Sequence, residues 1–294
     1  MTVTRLHLSH YGAAIYCRTV AAAAVLLACA IRASAADQPT AKAEKAEDPA
    51  AKIRRVIDDV LGWHEVFPAA DSDEPLTVIP ALRWSNNTRG TENAMTVLYV
   101  TKGRPYAAAC LFPYDKGMIH DLQSLARAED KINARRDGKV VWEPNRAGVE
   151  FAPIPDAPPA EESRPARLRQ IKQLSERFQS SMLGWKHDSN DQEQLRLLTK
   201  PLYRYDPESG PVVDGAVFAF VQGTDPESLL LIELVEEDGE RRWEYAFARR
   251  TAGKLEGRLD GKVVWAAPLN PEYKDPRGPH FTVHLELGRS DKSP

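Results

Sequence analysis

The sequence predicts an α+β fold of two similar tandem units, each an N-terminal helix packed on an antiparallel β-meander. Three observations lead there. The hexamer Asp-Gly-Lys-Val-Val-Trp occurs at 137–142 and again at 260–265. Its neighbours recur in the same order: Leu61-Gly62-Trp63 returns as Leu183-Gly184-Trp185, Pro80-x-x-Arg83-Trp84 as Pro201-x-x-Arg204-Tyr205, and Pro105 as Pro226, at offsets of 121 to 123 residues. Ordered matches at one offset are the mark of an internal duplication. Finally, each copy opens with apolar residues at helical spacing and then switches to a period of two.

The first element is not part of that fold. Residues 1–35 of the 294-residue chain hold Arg5, Arg18 and Arg32, no acid, and an apolar run Val20–Ile31 that ends just before Ala33-Ser34-Ala35. A basic start, a short apolar stretch and an A-x-A end predict a secretory signal peptide. The run is short of the ~20 apolar residues of a spanning helix, so no transmembrane helix is expected in the mature chain. A secreted or periplasmic protein follows. Leu26-Leu27-Ala28-Cys29 supplies an alternative, a lipoprotein anchored at Cys29.

Loss of residues 1–35 takes the net charge from −3 to −6. A net acidic chain without a basic stripe is a poor partner for nucleic acid. The same cleavage leaves Cys110 as the single cysteine, which excludes an internal disulfide. Cys110 lies in the apolar run Tyr106–Phe112 and reads as a small core residue.

Residues 36–50, mostly Ala, Lys, Glu, Asp and Pro, read as a disordered leader. The first repeat spans 51–150. Ile53, Val56, Ile57, Val60 and Leu61 form one helical stripe, with Gly62 as its stop. Strands are expected at Met95–Thr101, Tyr106–Pro113 and Gly117–Leu125, and in a segment ending at Trp142. Five prolines in 151–165 read as a stiff linker. The second repeat, 166–287, opens with a helix whose stripe is Leu168, Ile171, Leu174, Phe178 and Met182. Strands follow at Ala216–Val221, Ser228–Glu236, Arg241–Arg250 and Leu255–Trp265, then Phe281–Leu287. Residues 288–294 are a polar tail. In each hexamer, Asp-Gly is a tight hairpin turn and Lys-Val-Val-Trp the strand leaving it. Trp142 and Trp265 are therefore expected in the core.

Motifs for common hydrolases, zinc peptidases, nucleotide enzymes and dithiol redox domains are absent from the sequence. No cofactor and no metal are expected. His280 and His284 stand ~13 Å apart on one strand face, too far to share an ion, and with Glu286 read as a solvated face. The segment from His187 to Glu193 lacks the glycine and terminal glutamate of a calcium loop. The candidate binding residues are Arg83, Trp84, Asn86, Asn87 and Arg89. Arginines grip carboxylate or phosphate in a fork, the asparagines both donate and accept, and Trp84 offers a ring to stack on.

The stretches LRWSNNTRGTENAMTVLYVTKGRP (82–105) and PLYRYDPESGPVVDGAVFAFVQGTDPESLLLIEL (201–234) resemble an uncharacterised family of exported bacterial proteins. That resemblance implies export and the two-copy layout, and implies no catalytic residue. The expected function is that of an exported, non-enzymatic binding or structural protein of the cell envelope, with an unknown envelope or extracellular partner. The alternative is a hydrolase or other enzyme with a site in the first repeat or between the repeats. An enzyme would show a deep pocket where a base such as His64 or His120 meets a second polar group. A binding module would show a face of aromatic and Arg side chains.

Overall fold

The computed structural model describes residues 49–62, 64–69, 72–115, 117–183 and 191–286. The expected signal peptide, Cys29, residues 36–48 of the leader, Trp63, Trp185, residues 187–190 of the segment from His187 to Glu193 and the polar tail lie outside the described residues.

Helix α1 (Pro49–Leu61) precedes β1 (Glu65–Phe67). Four strands then run as successive hairpins: β2 (Thr77–Asn86), β3 (Thr91–Thr101), β4 (Arg104–Tyr114) and β5 (Gly117–Ser124). Next come β6 (Asn133–Arg136), β7 (Lys139–Trp142) and β8 (Ala152–Pro153). Helix α2 (Arg164–Ser175) leads into β9 (Phe178–Leu183). Short strands β10 (Gln192–Gln194), β11 (Arg196–Leu197) and β12 (Tyr203–Arg204) come before the long β13 (Val212–Gln222), β14 (Asp225–Glu237) and β15 (Glu240–Arg249). The chain closes with β16 (Lys254–Leu259), β17 (Lys262–Ala267) and β18 (His280–Glu286).

Among the described residues strands take 53% and helices 12%, with two α-helices. The fold is β-rich, and this overturns the expected α+β fold of two helix-plus-meander units. One cause is local. Ser163 caps α2 through its hydroxyl, and α2 ends at Ser175, whose own hydroxyl turns back to the Lys172 carbonyl at 2.7 Å. Phe178 and Met182, four residues apart, satisfy a helical stripe, but they satisfy a strand face equally well. They lie on β9, buried on one face with Ser180.

The other cause is topological. Neither meander is one sheet. After β5 the chain leaves to form a small sheet of order β1-β6-β7, and after β15 it forms one of order β10-β9-β16-β17. The long sheets have the orders β18-β5-β4-β3-β2 and β11-β13-β14-β15-β8. Each is finished by a strand from the other half of the chain: β18 pairs with β5, and β8, inside the proline-rich stretch, pairs with β15. Leu255–Trp265, read as a single strand, is the hairpin β16–β17. Its turn, Asp260-Gly261, has φ of 49° and 78°, and Asp137-Gly138 in the first hexamer has 50° and 72°. Two consecutive positive φ values make the twisted two-residue hairpin that Asp-Gly favours.

The two long sheets face each other. Leu98, Val100 and Ala108 of one pack on Val217, Ala219, Leu229, Leu231, Ala246 and Ala248 of the other. Their outer faces, with Val97, Tyr99 and Leu111 on one side and Phe218, Phe220 and Ile232 on the other, carry separate cores closed by α1 and α2. Both faces of these strands are apolar because both are covered. Alanines at the inner face let the sheets approach. Among the described residues no helix is long and apolar enough to cross a membrane.

Candidate functional site

At one end of the junction two hairpin tips meet. Asn86 ends β2 and accepts from the Arg89 backbone N–H at 3.3 Å, which caps a single 3₁₀ turn, Asn87–Arg89. Gly90 closes that turn at φ 65°. The turn directs Arg89 towards the β13–β14 hairpin. Thr224, at that second tip, donates to the Ser85 carbonyl at 2.6 Å and accepts from the Ser85 N–H at 3.1 Å. Arg89 then spans two carboxylates at the start of β14: Nη1 lies 3.3 Å from Asp225 Oδ2 and Nη2 lies 2.7 Å from Glu227 Oε1. Asn86 Nδ2 donates to the same Asp225 oxygen at 3.2 Å.

A second charged group lies beside the first. Asp121 on β5 lies 2.8 Å from His280 Nε2 and accepts from the Thr282 hydroxyl at 3.3 Å, both on β18. Arg250, fully buried just past β15, donates to the Asp121 carbonyl at 3.0 Å, and its guanidinium is 3.7 Å from the Asp121 carboxylate. Asp121 thus owes two of its partners, His280 and Thr282, to the strand exchanged from the far end of the chain.

Between these groups is a cavity of about 550 Å³. Asp121, Arg250, Arg89, Asp225 and Glu227 form its charged part. Trp84, Phe112, Ile119, Tyr114 and Tyr273 form an apolar wall, with His284 edge-on to Tyr114. The wall continues the sheet face that packs inside, since Ala108, Cys110 and Phe112 alternate on one side of β4. A pocket of this size, mostly apolar with a few converging polar groups, suits a small ligand.

Burial sets the electrostatics. It raises Glu227 to about 8 and Asp225 to about 6; the neighbouring carboxylate reinforces the shift on Glu227, while Arg89 opposes both. Burial also favours a neutral Asp121, but His280 and Arg250 outweigh it and hold that carboxyl below its ordinary value. Cys110 is driven up by burial, so its thiol stays protonated. It contacts the Thr96 hydroxyl at 3.2 Å, which accepts from Trp84 Nε1 at 3.0 Å.

The five residues singled out in the sequence are placed as follows. Trp84 and Arg89 line the cavity. Asn86 is buried behind it and orients Asp225. Asn87 is exposed on the 3₁₀ turn, and Arg83 is exposed in a shallow depression with Arg54 and Asn93. Arg89 does not present a fork to an external anion, because carboxylates already take its guanidinium. Of the histidines, His284 is exposed but His280 is buried against Asp121, not on a solvated face. His64 and His120 do meet, Nδ1 to Nδ1 at 2.7 Å, but in the interior. Among the described residues no three His, Cys, Asp or Glu side chains group as ligands for a metal ion.

The chain matches no protein-family model, no curated protein and no solved structure. The site therefore stands on its own geometry. Asp225 and Glu227 were hidden because Gly223-Thr-Asp-Pro226 reads as a turn. Asp121 and Arg250 carried little signal: β5 also holds His120 and Gln123, and Arg250 follows Arg249 at the end of a strand rich in charges.

Proposed function

We propose that this is an exported protein that binds a small molecule in the cavity where its two long sheets meet. One observation carries the reading: buried charged side chains from both halves converge with an aromatic wall on one 550 Å³ space. Binding is favoured over turnover by how the polar groups are engaged. His280 has Asp121 on one ring nitrogen and Asn270 at 3.3 Å on the other. Cys110 is held as a thiol by burial. Arg89 and Arg250 are each committed to carboxylates. Such a set recognises and orients a ligand without a poised nucleophile.

The test is thermal unfolding of the mature chain against a panel of small sugars, amines, carboxylates and phosphates. A ligand at a hundredfold its Kd adds about 2.7 kcal/mol, or roughly 5–10 °C for a domain of this size. The control is Ala252→Phe, which puts a ring into the cavity. A shift in the parent that the variant loses supports the reading. A panel that shifts neither protein, or both equally, contradicts it.

A further inference from the structure

We propose that the ligand is a compact organic cation, an alkylammonium with its charged group received by Asp225 and Glu227 and its body laid against Trp84, Phe112 and Tyr114. This rests on the cavity being a binding site and adds the class of ligand.

Among the described residues three carboxylates line the cavity, Asp121, Asp225 and Glu227, against two guanidiniums, Arg89 and Arg250. Asp121 is matched with Arg250 and His280, which leaves Asp225 and Glu227 to share Arg89. With all three ionised the space would hold one negative charge too many, and burial relieves this by keeping a proton on Glu227. An anion would aggravate the imbalance, whereas a cation can take the place of that proton.

Geometry adds a second observation. Glu227 is 1% exposed, and its Oε1, although 2.7 Å from Arg89 Nη2, accepts no aligned hydrogen bond. A buried carboxylate oxygen in that position calls for a donor, and a primary alkylammonium brings three. The third observation is the wall. Aromatic faces attract cations, most strongly where water is excluded. Trp84 and Phe112 rings pack together at 5.8 Å and 49°, and both line the cavity with the carboxylates.

Binding would displace a proton. The groups facing Glu227 are Asp225 on its own strand, Arg89 from the 3₁₀ turn, Glu193 from β10, and Arg250 with Asp121 across the cavity. With Asp225 and Glu193 beside it and burial around it, Glu227 holds its proton through neutral pH. Entry of a cation leaves the carboxylate ionised against the ligand and sends one proton to solvent.

The experiment is isothermal titration of the mature protein with the 3,3-dimethylbutylammonium ion, and with 3,3-dimethylbutan-1-ol, which replaces the charged ammonium by a neutral hydroxyl. The expected result is at least tenfold tighter binding of the ammonium. Its affinity should rise from pH 6 to pH 9, and its heat should depend on the buffer's ionisation enthalpy. Glu227→Gln should lower the affinity tenfold or more with the circular dichroism spectrum unchanged. If that variant does not fold, the pH profile and buffer dependence of the parent decide. Equal binding of the two probes, or no ammonium binding while a neutral or anionic compound binds in a way that Ala252→Phe blocks, overturns the cation and leaves the cavity site standing. If nothing binds, both fall.

Discussion

Arg104 on the first long sheet and Glu233 on the second meet across the junction, Nε to Oε1 at 3.0 Å, with Glu233 wholly buried. Arg127 completes the group, 2.6 Å from the other Glu233 oxygen and 3.0 Å from Glu244, its guanidinium lying 3.9 Å over the Phe151 ring. This cluster joins the halves at a place the cavity does not reach. Removing Glu233 leaves the buried Arg104 guanidinium without its carboxylate and Arg127 with Glu244 alone. Glu233→Ala should cost about 3–5 kcal/mol, the range for breaking a buried ion pair. Urea unfolding measures it. A loss under about 1 kcal/mol would mean that the two sheets do not depend on this contact.

His64 and His120 should make stability depend on pH. Burial and then Arg136 lower His64 from 6.5 to about 4, and burial lowers His120 as well. The folded state keeps both neutral while the unfolded chain takes up protons below 6.5. Stability is therefore fully present above 6.5 and is lost as pH falls towards 4. The His64 shift corresponds to about 3 kcal/mol. Denaturant midpoints at pH 7 and pH 5 should differ in the parent, and should differ less in His64→Phe. An identical decline in the variant would place the effect elsewhere.

The two hexamers share their turn but not their burial. Trp142 is wholly buried and donates from Nε1 to the Gly278 carbonyl at 2.8 Å. Trp265 is half-buried and stacks on Phe247, 5.2 Å between centroids at 11°. Trp142→Ala should cost about 3–5 kcal/mol. Trp265→Ala should cost less, because part of its ring is already in water. Equal losses would contradict this asymmetry.

Much of the local structure was legible. Asp-Gly pairs marked both hairpins, and β-branched and aromatic runs marked β13, β14 and β15. The errors share one cause, that local spacing says nothing about distant partners. Phe178 and Met182 fit two periodicities, and only the pairing of β9 with β16 decides between them. The exchange of β8 and β18 joins residues more than ninety positions apart in sequence, so the layering could not be read locally. The site suffers most. Trp84 and Arg89 were found because they stand in a visibly polar segment. His280 reads as one residue of an alternating strand until Asp121, far upstream, is placed beside it.

The central claim is that ligand is held where Arg89, Asp225, Glu227, Asp121 and Arg250 converge. Hydrogen exchange with and without the compound giving the largest thermal shift tests it most directly. The claim predicts slowed exchange in three separate segments at once: the β2–β3 tip around residues 85–91, the start of β14 at 225–229, and residues 250–253 after β15. Protection confined to other surfaces, with these three segments unchanged, would contradict it.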